Sequence, residues 1–107
     1  MIPIQPETKM NKLETRYADE LKMLKLAGEI TDYVFEPMGL NLAPGLKCFY
    51  YPDFLVIYKD RFEFHETKGF CRDDALVKIK VAAKLFPWFR FKMIFYTKRQ
   101  WITREFK

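Results

Sequence analysis

Two acidic residues and a lysine interrupt the most apolar strand patterns of the chain. Asp53 follows Pro52 in the segment YYPDFLVIY, and Glu66 and Lys68 close the segment RFEFHETK. Because side chains alternate between the two faces of a strand, each acid continues a face that is otherwise aromatic or aliphatic. A carboxylate in such a place is costly to desolvate unless it is paired, hydrogen-bonded or bound to a cation.

This pair of acids predicts a site for a hard divalent ion. Two carboxylates on neighbouring strands can share Mg²⁺ or Mn²⁺, since Mg²⁺ prefers oxygen ligands and retains several of its waters. Lys68 shares the strand face of Glu66, and its ammonium group could hold an attacking water and offset charge on a phosphorane-like transition state. The alternative is an ordinary ion pair between Glu66 and Lys68 on a solvated face, with Asp53 as a turn residue.

The opposite face of the same strand favours an inward placement of Glu66. That face carries Arg61, Glu63, His65 and Thr67 and is expected to be the solvated one. If Glu66 also faced solvent, neither face of the strand would be buried along its whole length. His65, on the polar face, is therefore expected to be a surface residue rather than a catalytic one.

The sequence around these residues predicts an α/β fold with the element order α-β-β-β-α-β. Apolar residues at helical spacing behind a cap at Asn11 predict a first helix over residues 12–27. A second helix of about 14 residues is expected between Gly69 and Pro87. Strands are predicted over residues 31–38, 47–58, 61–68 and 91–96.

The position of the second helix restricts the topology. A strand, a helix and a further strand form a crossover unit, so the strands at 61–68 and 91–96 are expected to lie parallel. The earlier strands are expected to form an antiparallel meander, which gives a mixed sheet flanked by helices. We expect a single domain over residues 1–107, in which 1–10 form an N-terminal arm and 97–107 a basic C-terminal tail.

The composition of the chain indicates which partners and which cellular compartment to expect. The 107 residues include 19 Lys and Arg against 14 Asp and Glu, which gives a net charge of +5 and favours a polyanionic partner such as DNA. No apolar run approaches the roughly 18 residues of a membrane span, and no leader pattern opens the chain, so a cytoplasmic protein is expected. Cys48 and Cys71, with one histidine, are too few soft ligands for zinc and are expected to be reduced thiols, with Cys71 in a loop.

Basic residues in two regions are candidates for DNA contacts. One group rings the second helix and the other lies in the basic tail around Trp101, which could stack on a base or close the core or a dimer interface. A charge run is usually a solvated face, so each lysine also has a plain surface role as its alternative. The candidate DNA-binding residues are Lys78, Lys80, Lys84, Lys98 and Arg99.

These residues together resemble the PD-(D/E)xK nuclease superfamily. Pro52-Asp53, twelve further residues and then Glu66-Thr67-Lys68 look like its signature, and Gly69 fits the usual end of that strand. Within the superfamily, the run ETRYADELKMLKLAGEI, a strand and then YYPDFLVIY resemble small phage-encoded nucleases related to the endonuclease I class of Holliday junction resolvases. The resemblance covers residues 11–96 and implies a restriction-endonuclease-like sheet.

The resemblance also implies the roles of the site residues. It implies metal ligation by Asp53, Glu66 and the carbonyl group of Thr67, with Lys68 as the catalytic lysine and a further glutamate from the first helix. Glu14 is the favoured match for that glutamate and Glu20 is the competitor, because both lie near the apolar face of the helix. The alternative interpretation of Glu14 is that it is the capping-box partner of Asn11.

The resulting hypothesis is an Mg²⁺-dependent endodeoxyribonuclease, with branched DNA such as a Holliday junction as a possible substrate. Cleavage of both strands of a junction needs two active sites, so a symmetric homodimer is anticipated from that substrate. One rival is a non-catalytic nucleic-acid-binding module on the same fold. A second rival is a phage protein-interaction subunit that docks through its aromatic surface.

Overall fold

Two helices lie on opposite faces of a mixed sheet within residues 9–69 and 73–107, the residues that this computed structural model describes. Helix α1 spans Lys12–Leu26 and helix α2 spans Asp73–Leu85. The strands in chain order are β1 Asp32–Phe35, β2 Leu40–Asn41, β3 Phe49–Tyr50, β4 Phe54–Ile57, β5 Phe62–Lys68, β6 Arg90–Thr97 and β7 Gln100–Phe106.

The main sheet has the strand order β1-β4-β5-β6-β7. Strands β5 and β6 are parallel across α2, whereas β1, β4 and β5 pair antiparallel. The α/β class, the meander and the parallel crossover are therefore confirmed.

Local signals explain why α1 begins and ends where it does. The main-chain N–H of Glu14 donates to Asn11 Oδ1 over 2.7 Å, and the N–H of Asn11 donates to Glu14 Oε1 over 2.8 Å. This reciprocal capping box satisfies two main-chain donors at the start of the helix. Gly28, at φ +80°, takes a left-handed conformation that suits glycine just after the helix.

Each helix buries its own apolar core against one face of the sheet. Tyr17 and Leu21 of α1 pack on Phe54, Val56 and Ile94. On the other face, α2 packs on the intervening positions of the same strands, with a core that includes Leu55, Phe64, Ile79, Ala82, Ala83, Phe91 and Met93. Because both faces are covered, alternation along a strand here separates two cores rather than a core from solvent.

This double coverage overturns one prediction from the sequence. The face of β5 that carries Glu63, His65 and Thr67 was expected to be solvated, but these residues are only 0, 3 and 6% exposed. Helix α1 covers this face, and polar partners around Glu63 satisfy the buried groups. The expectation that His65 lies on the surface is therefore wrong.

Two further segments differ from the predicted elements. The strand expected over 47–58 is broken at Pro52-Asp53, so that β3 pairs with β2 in a separate small hairpin and β4 enters the main sheet. Proline removes a ladder donor, which is consistent with a break at this point. Residues 97–107, expected to be a tail, form the end of β6 and the strand β7, whose Phe106 is buried.

Three other expectations concern the ends of the chain, the membrane and the thiols. Among the described residues, neither helix has the length and apolar character needed to cross a membrane. Cys48 is a thiol outside any disulfide. Cys71 and residues 1–8 of the expected arm lie outside the described residues.

Candidate active site

Strand register brings the two predicted acids together. Phe54 pairs with His65 in the antiparallel ladder of β4 and β5, so extending this register by one residue places Asp53 across from Glu66. The main-chain carbonyl of Asp53 accepts a hydrogen bond of 2.7 Å from Glu36, which ties this position to the end of β1. The two acids therefore share one end of the sheet, as the sequence predicted.

Asp53 is held from β5 by Thr67. The main-chain N–H and the hydroxyl of Thr67 both donate to Asp53 Oδ2, over 2.8 and 2.9 Å. These bonds fix the orientation of the carboxylate, since two donors converge on one oxygen. The sequence indicated Thr67 only through its carbonyl group, and the role of its side chain was missed.

Glu66 is buried and held by two partners. It is 7% exposed, accepts a hydrogen bond of 2.9 Å from the hydroxyl of Tyr50 at Oε1, and pairs with Lys68 Nζ over 3.3 Å at Oε2. The ion pair between Glu66 and Lys68, which was the alternative interpretation of the motif, therefore exists. Its carboxylate, however, is not on a solvated face. Tyr50 was not predicted, because no spacing rule links a two-residue strand to a side chain in β5.

Burial and mutual repulsion raise the pKa values of both acids. Burial first, and then the neighbouring charge of Asp53, raise the pKa of Glu66 to about 7, against the opposing effects of Lys68 and Tyr50. Burial also raises the pKa of Asp53, although hydrogen bonds from Thr67 and the charge of Lys68 oppose the shift. A positive charge placed between two carboxyl groups coupled in this way would stabilise the ionised form of both.

Glu14 combines the two roles that the sequence left open. Its carboxylate closes the capping box with Asn11, and it also lies within electrostatic reach of Asp53 and Lys68. Burial raises the pKa of Glu14, and the charges of Asp53 and Glu36 add to the shift. Its competitor Glu20 instead influences Tyr17, on the buried side of α1.

The donor types at this site fit a hard divalent cation. Within residues 9–69 and 73–107, no group of three or more His, Cys, Asp or Glu side chains is arranged to hold a metal ion. Mg²⁺, however, is commonly bound through one or two carboxylates, with water and substrate phosphate completing its shell. Asp53 and Glu66 can supply these carboxylates, whose pKa values are raised first of all by burial.

Lys98 and Arg99 form a basic turn at the same end of the sheet. Lys68 pairs with Phe95 in the parallel ladder, and Thr97 pairs with Gln100 across the β6–β7 turn, so the turn lies just beyond the candidate site. The two central residues have φ values of 49° and 61°, a conformation for which Asn and Gly are preferred. Two cations thus occupy turn positions that usually hold other residue types, at the end of the sheet that carries Asp53 and Glu66.

The candidate lysines of α2, unlike Lys98 and Arg99, are not adjacent but are spread along the helix. Lys78 donates to the main-chain carbonyl of Phe49 over 3.1 Å. Lys80 and Lys84 line a groove with the C-terminal residues of β7, at the end of the sheet opposite Asp53. The five predicted DNA-binding residues therefore lie in different places: Lys98 and Arg99 lie beyond the candidate site, Lys78 contacts the strand that carries Tyr50, and Lys80 and Lys84 lie toward the other end of the sheet.

An aromatic and basic cluster lies beside the turn. The guanidinium of Arg16 lies 4.6 Å from the ring centre of Tyr96, which in turn lies 4.6 Å from that of Trp101. Trp101 also packs edge-on against Tyr17, with ring centres 5.0 Å apart. Trp101 therefore packs between α1 and the sheet, and Arg16 was missed because only the tertiary fold places it near β6.

Comparisons of the chain with protein-family models, with curated proteins and with solved structures gave no match.

The pKa of Glu66 predicts an unusual pH dependence of stability. Between its ordinary value of 4.5 and about 7, the folded chain retains a proton at Glu66 that the unfolded chain releases. The free energy of unfolding should therefore fall as pH rises through this window, by about 3 kcal/mol in total. In urea unfolding from pH 4.5 to 8 in a chelator, the stability of the wild type minus that of Glu66→Gln should show this fall.

The contribution of His65 cancels when the stability of Glu66→Gln is subtracted from that of the wild type at each pH. Burial lowers the pKa of His65, so this residue makes the protein less stable as pH falls below its ordinary value of 6.5, in both variants. Parallel profiles for the wild type and Glu66→Gln would show that Glu66 ionises normally.

Proposed function

We propose that this protein is a metal-dependent DNA endonuclease of the PD-(D/E)xK type, on a restriction-endonuclease-like fold. The observation that carries the proposal is the meeting of Asp53 and Glu66 at one end of a two-sided sheet, with Lys68 on the second acid. The element order and the parallel crossover across α2 support the same assignment. A net charge of +5 suits a DNA substrate.

The roles proposed for the residues are those that the resemblance to the superfamily implies. Asp53 and Glu66 would hold Mg²⁺ or Mn²⁺, together with the carbonyl group of Thr67. A bound ion would supply Lewis-acid activation of water and would neutralise charge on the phosphate. Lys68 orients the attacking water and offsets charge on the transition state, while Tyr50 and the Thr67 side chain keep the two carboxylates in place.

Glu14 is the helical acid of this proposal. The capping box fixes its side chain at the start of α1, and the charge of Asp53 contributes to raising the pKa of its carboxyl group. A third acid in this position can accept a proton or bind a water of the metal shell. We place Glu14, rather than Glu20, among the catalytic residues.

Branched DNA and a homodimer complete the proposal. A Holliday junction presents two strands for cleavage, so two copies of the site related by a two-fold axis would serve it. Junctions, flaps and linear duplexes with Mg²⁺ should be compared as labelled substrates, with sedimentation of the protein alone. Equal cleavage of linear duplexes and junctions by a monomer would contradict this part of the proposal.

The direct test is nicking of supercoiled plasmid. Purified protein with Mg²⁺ or Mn²⁺ should convert the plasmid to open-circle and linear forms, and a chelator should stop the reaction. DNA binding without cleavage under any divalent ion would favour a non-catalytic module. That second candidate is supported by the Glu66–Lys68 ion pair, which already gives the buried carboxylate a partner.

The Lys98-Arg99 turn gives a prediction for DNA binding. Lys98→Asn with Arg99→Gly keeps a favoured two-residue turn while it removes two charges. Binding should weaken about tenfold at low salt, and the slope of log K against log salt should become shallower by about 1.8. Fluorescence anisotropy with a labelled duplex at several salt concentrations measures both quantities.

A matched control lies at the other end of the sheet. Lys59 is an exposed lysine in the turn between β4 and β5, so Lys59→Asn changes a turn cation without approaching the candidate site. Its salt slope should remain that of the wild type. An unchanged slope in the double variant would place the DNA elsewhere on the surface.

A further inference from the structure

Helix α2 presents apolar side chains on its outer face as well as on its inner one. Val77, Val81 and Leu85 are spaced four residues apart and are 58, 37 and 43% exposed, and we call them the α2 stripe. Residues four apart lie on one side of a helix, so these three form a continuous ridge. Trp88, just after the helix, adds a side chain that is 75% exposed. A row of this kind is typical of a docking surface.

Two grooves lie along the stripe. One, of about 510 Å³, separates it from the small hairpin and is lined by Leu42, Cys48 and Val77, among others. The second, of about 500 Å³, separates it from the end of β7 and is lined by Leu85 and Phe106, among others. Val81 lines both grooves, so a partner could seat apolar side chains on either side of it.

Positive charge borders mainly the second groove, because the first is lined by one acid, Asp74, and one cation, Lys78. Asp74 and Glu105 are the acidic residues among those that line the two grooves, against a larger set of cations. The cations are Lys78, Lys80, Lys84, Arg104 and Lys107. A partner that covers the stripe must therefore bring negative charge as well as apolar side chains.

Two other occupants fit this surface less well. A second copy docked antiparallel about Val81 would place Lys78 opposite Lys84 of the other helix, because these residues lie three positions to either side. Like charges placed opposite each other disfavour such a pair. A DNA backbone would satisfy the lysines but would leave Val77 and Leu85 without apolar contacts.

We propose that the α2 stripe docks an acidic, amphipathic segment of another protein. Apolar side chains of that segment enter the two grooves, and its carboxylates lie against the lysines of α2 and the end of β7. Lys84 and Phe106 lie at the end of the sheet opposite Asp53, since Phe106 pairs with Phe91 at the start of β6. The second groove therefore lies away from the candidate active site. This proposal does not depend on the nuclease activity.

Three labelled peptides of sixteen residues test the proposal. The first carries leucines at helical spacing of four, four and three among aspartates and glutamates, the second is its scramble, and the third replaces its acids by lysines. Anisotropy should show binding of the first peptide alone, weakened by salt. Val81→Asp should weaken that binding at least about tenfold, because it places a charge between both grooves.

Several outcomes would overturn the proposal. Equal binding of the scrambled peptide, or equal binding by Val81→Asp, would show that the stripe is not the docking surface. Displacement of the peptide by duplex DNA, with weaker DNA binding in Val81→Asp, would assign the face to nucleic acid. A dimer in sedimentation that Val81→Asp dissociates would assign it to a second copy. Wild-type circular dichroism and thermal unfolding of Val81→Asp confirm that the variant folds.

Discussion

Asp53→Asn is expected to lower the rate of Mg²⁺-dependent plasmid nicking by about 10³-fold. The amide keeps the size of the side chain and can still accept the hydrogen bonds from Thr67, so the fold should persist. What the change removes is the negative charge that would hold a cation beside Glu66. Initial rates of nicking at saturating protein, with circular dichroism of each variant, measure the effect.

Matched controls separate a catalytic loss from a general one. Asp60→Asn changes an exposed acid in the turn at the other end of the sheet, and its nicking rate should equal that of the wild type. Glu14→Gln should lose activity, whereas Glu20→Gln, on the same helix, should retain it. If Asp53→Asn kept activity within about threefold of the wild type, the site would have to lie elsewhere.

The sequence predicted those elements whose determinants are local. The cap at Asn11 and the spacing of Leu13, Tyr17 and Leu21 locate α1 to within a residue of its end. Alternation over 61–68 likewise locates β5. For the candidate site, the motif predicted that Asp53 and Glu66 would meet, because two adjacent antiparallel strands allow few registers once one face is apolar.

What the sequence did not predict depends on contacts between distant segments. The burial of Glu63 and His65 requires α1 to cover that face, and no pattern within β5 shows which helix lies on it. Tyr50 reaches Glu66 from a strand of two residues, which is too short for a periodic signal. The turn at Lys98-Arg99 contradicts turn preference, so it could not be read from residue types.

The charge network beneath α1 gives the second large prediction. Glu63 is fully buried, and it accepts hydrogen bonds of 2.9 Å each from Lys92 Nζ and from His65 Nε2, as well as one from Arg61. Neutral His65 donates through Nε2 and accepts at Nδ1 from the hydroxyl of Tyr17, over 2.6 Å, so the network links β5 to α1. Burial opposes the ionisation of Glu63, but His65, Lys92 and Arg61 outweigh it and lower its pKa to about 2.

Glu63→Gln is therefore expected to lower the free energy of unfolding by about 3–5 kcal/mol at neutral pH. The amide leaves Lys92, whose side chain is 19% exposed, without its negative partner, whereas Arg61 still pairs with Asp60. The cost of the unpaired ammonium group exceeds the worth of any one bond. Urea unfolding at pH 7 measures the change. Glu29→Gln, at an exposed acid after α1, is the control and should change stability by less than about 0.5 kcal/mol.

The pH dependence of stability distinguishes the loss of the Glu63 charge from the loss of its packing. Because the folded pKa of Glu63 is depressed, its contribution is fully present above its ordinary value of 4.5 and is lost as pH falls toward about 2. Glu63→Gln and the wild type should therefore converge in stability as pH falls through this range. Replacing Glu63 and Lys92 together by methionine should recover part of the loss at pH 7, since it removes the unpaired ammonium group, although the buried Nε2–H of His65 then lacks its acceptor. A Glu63→Gln deficit that stayed constant down to pH 2.5 would show that packing, and not the paired charge, holds α1 against this face of the sheet.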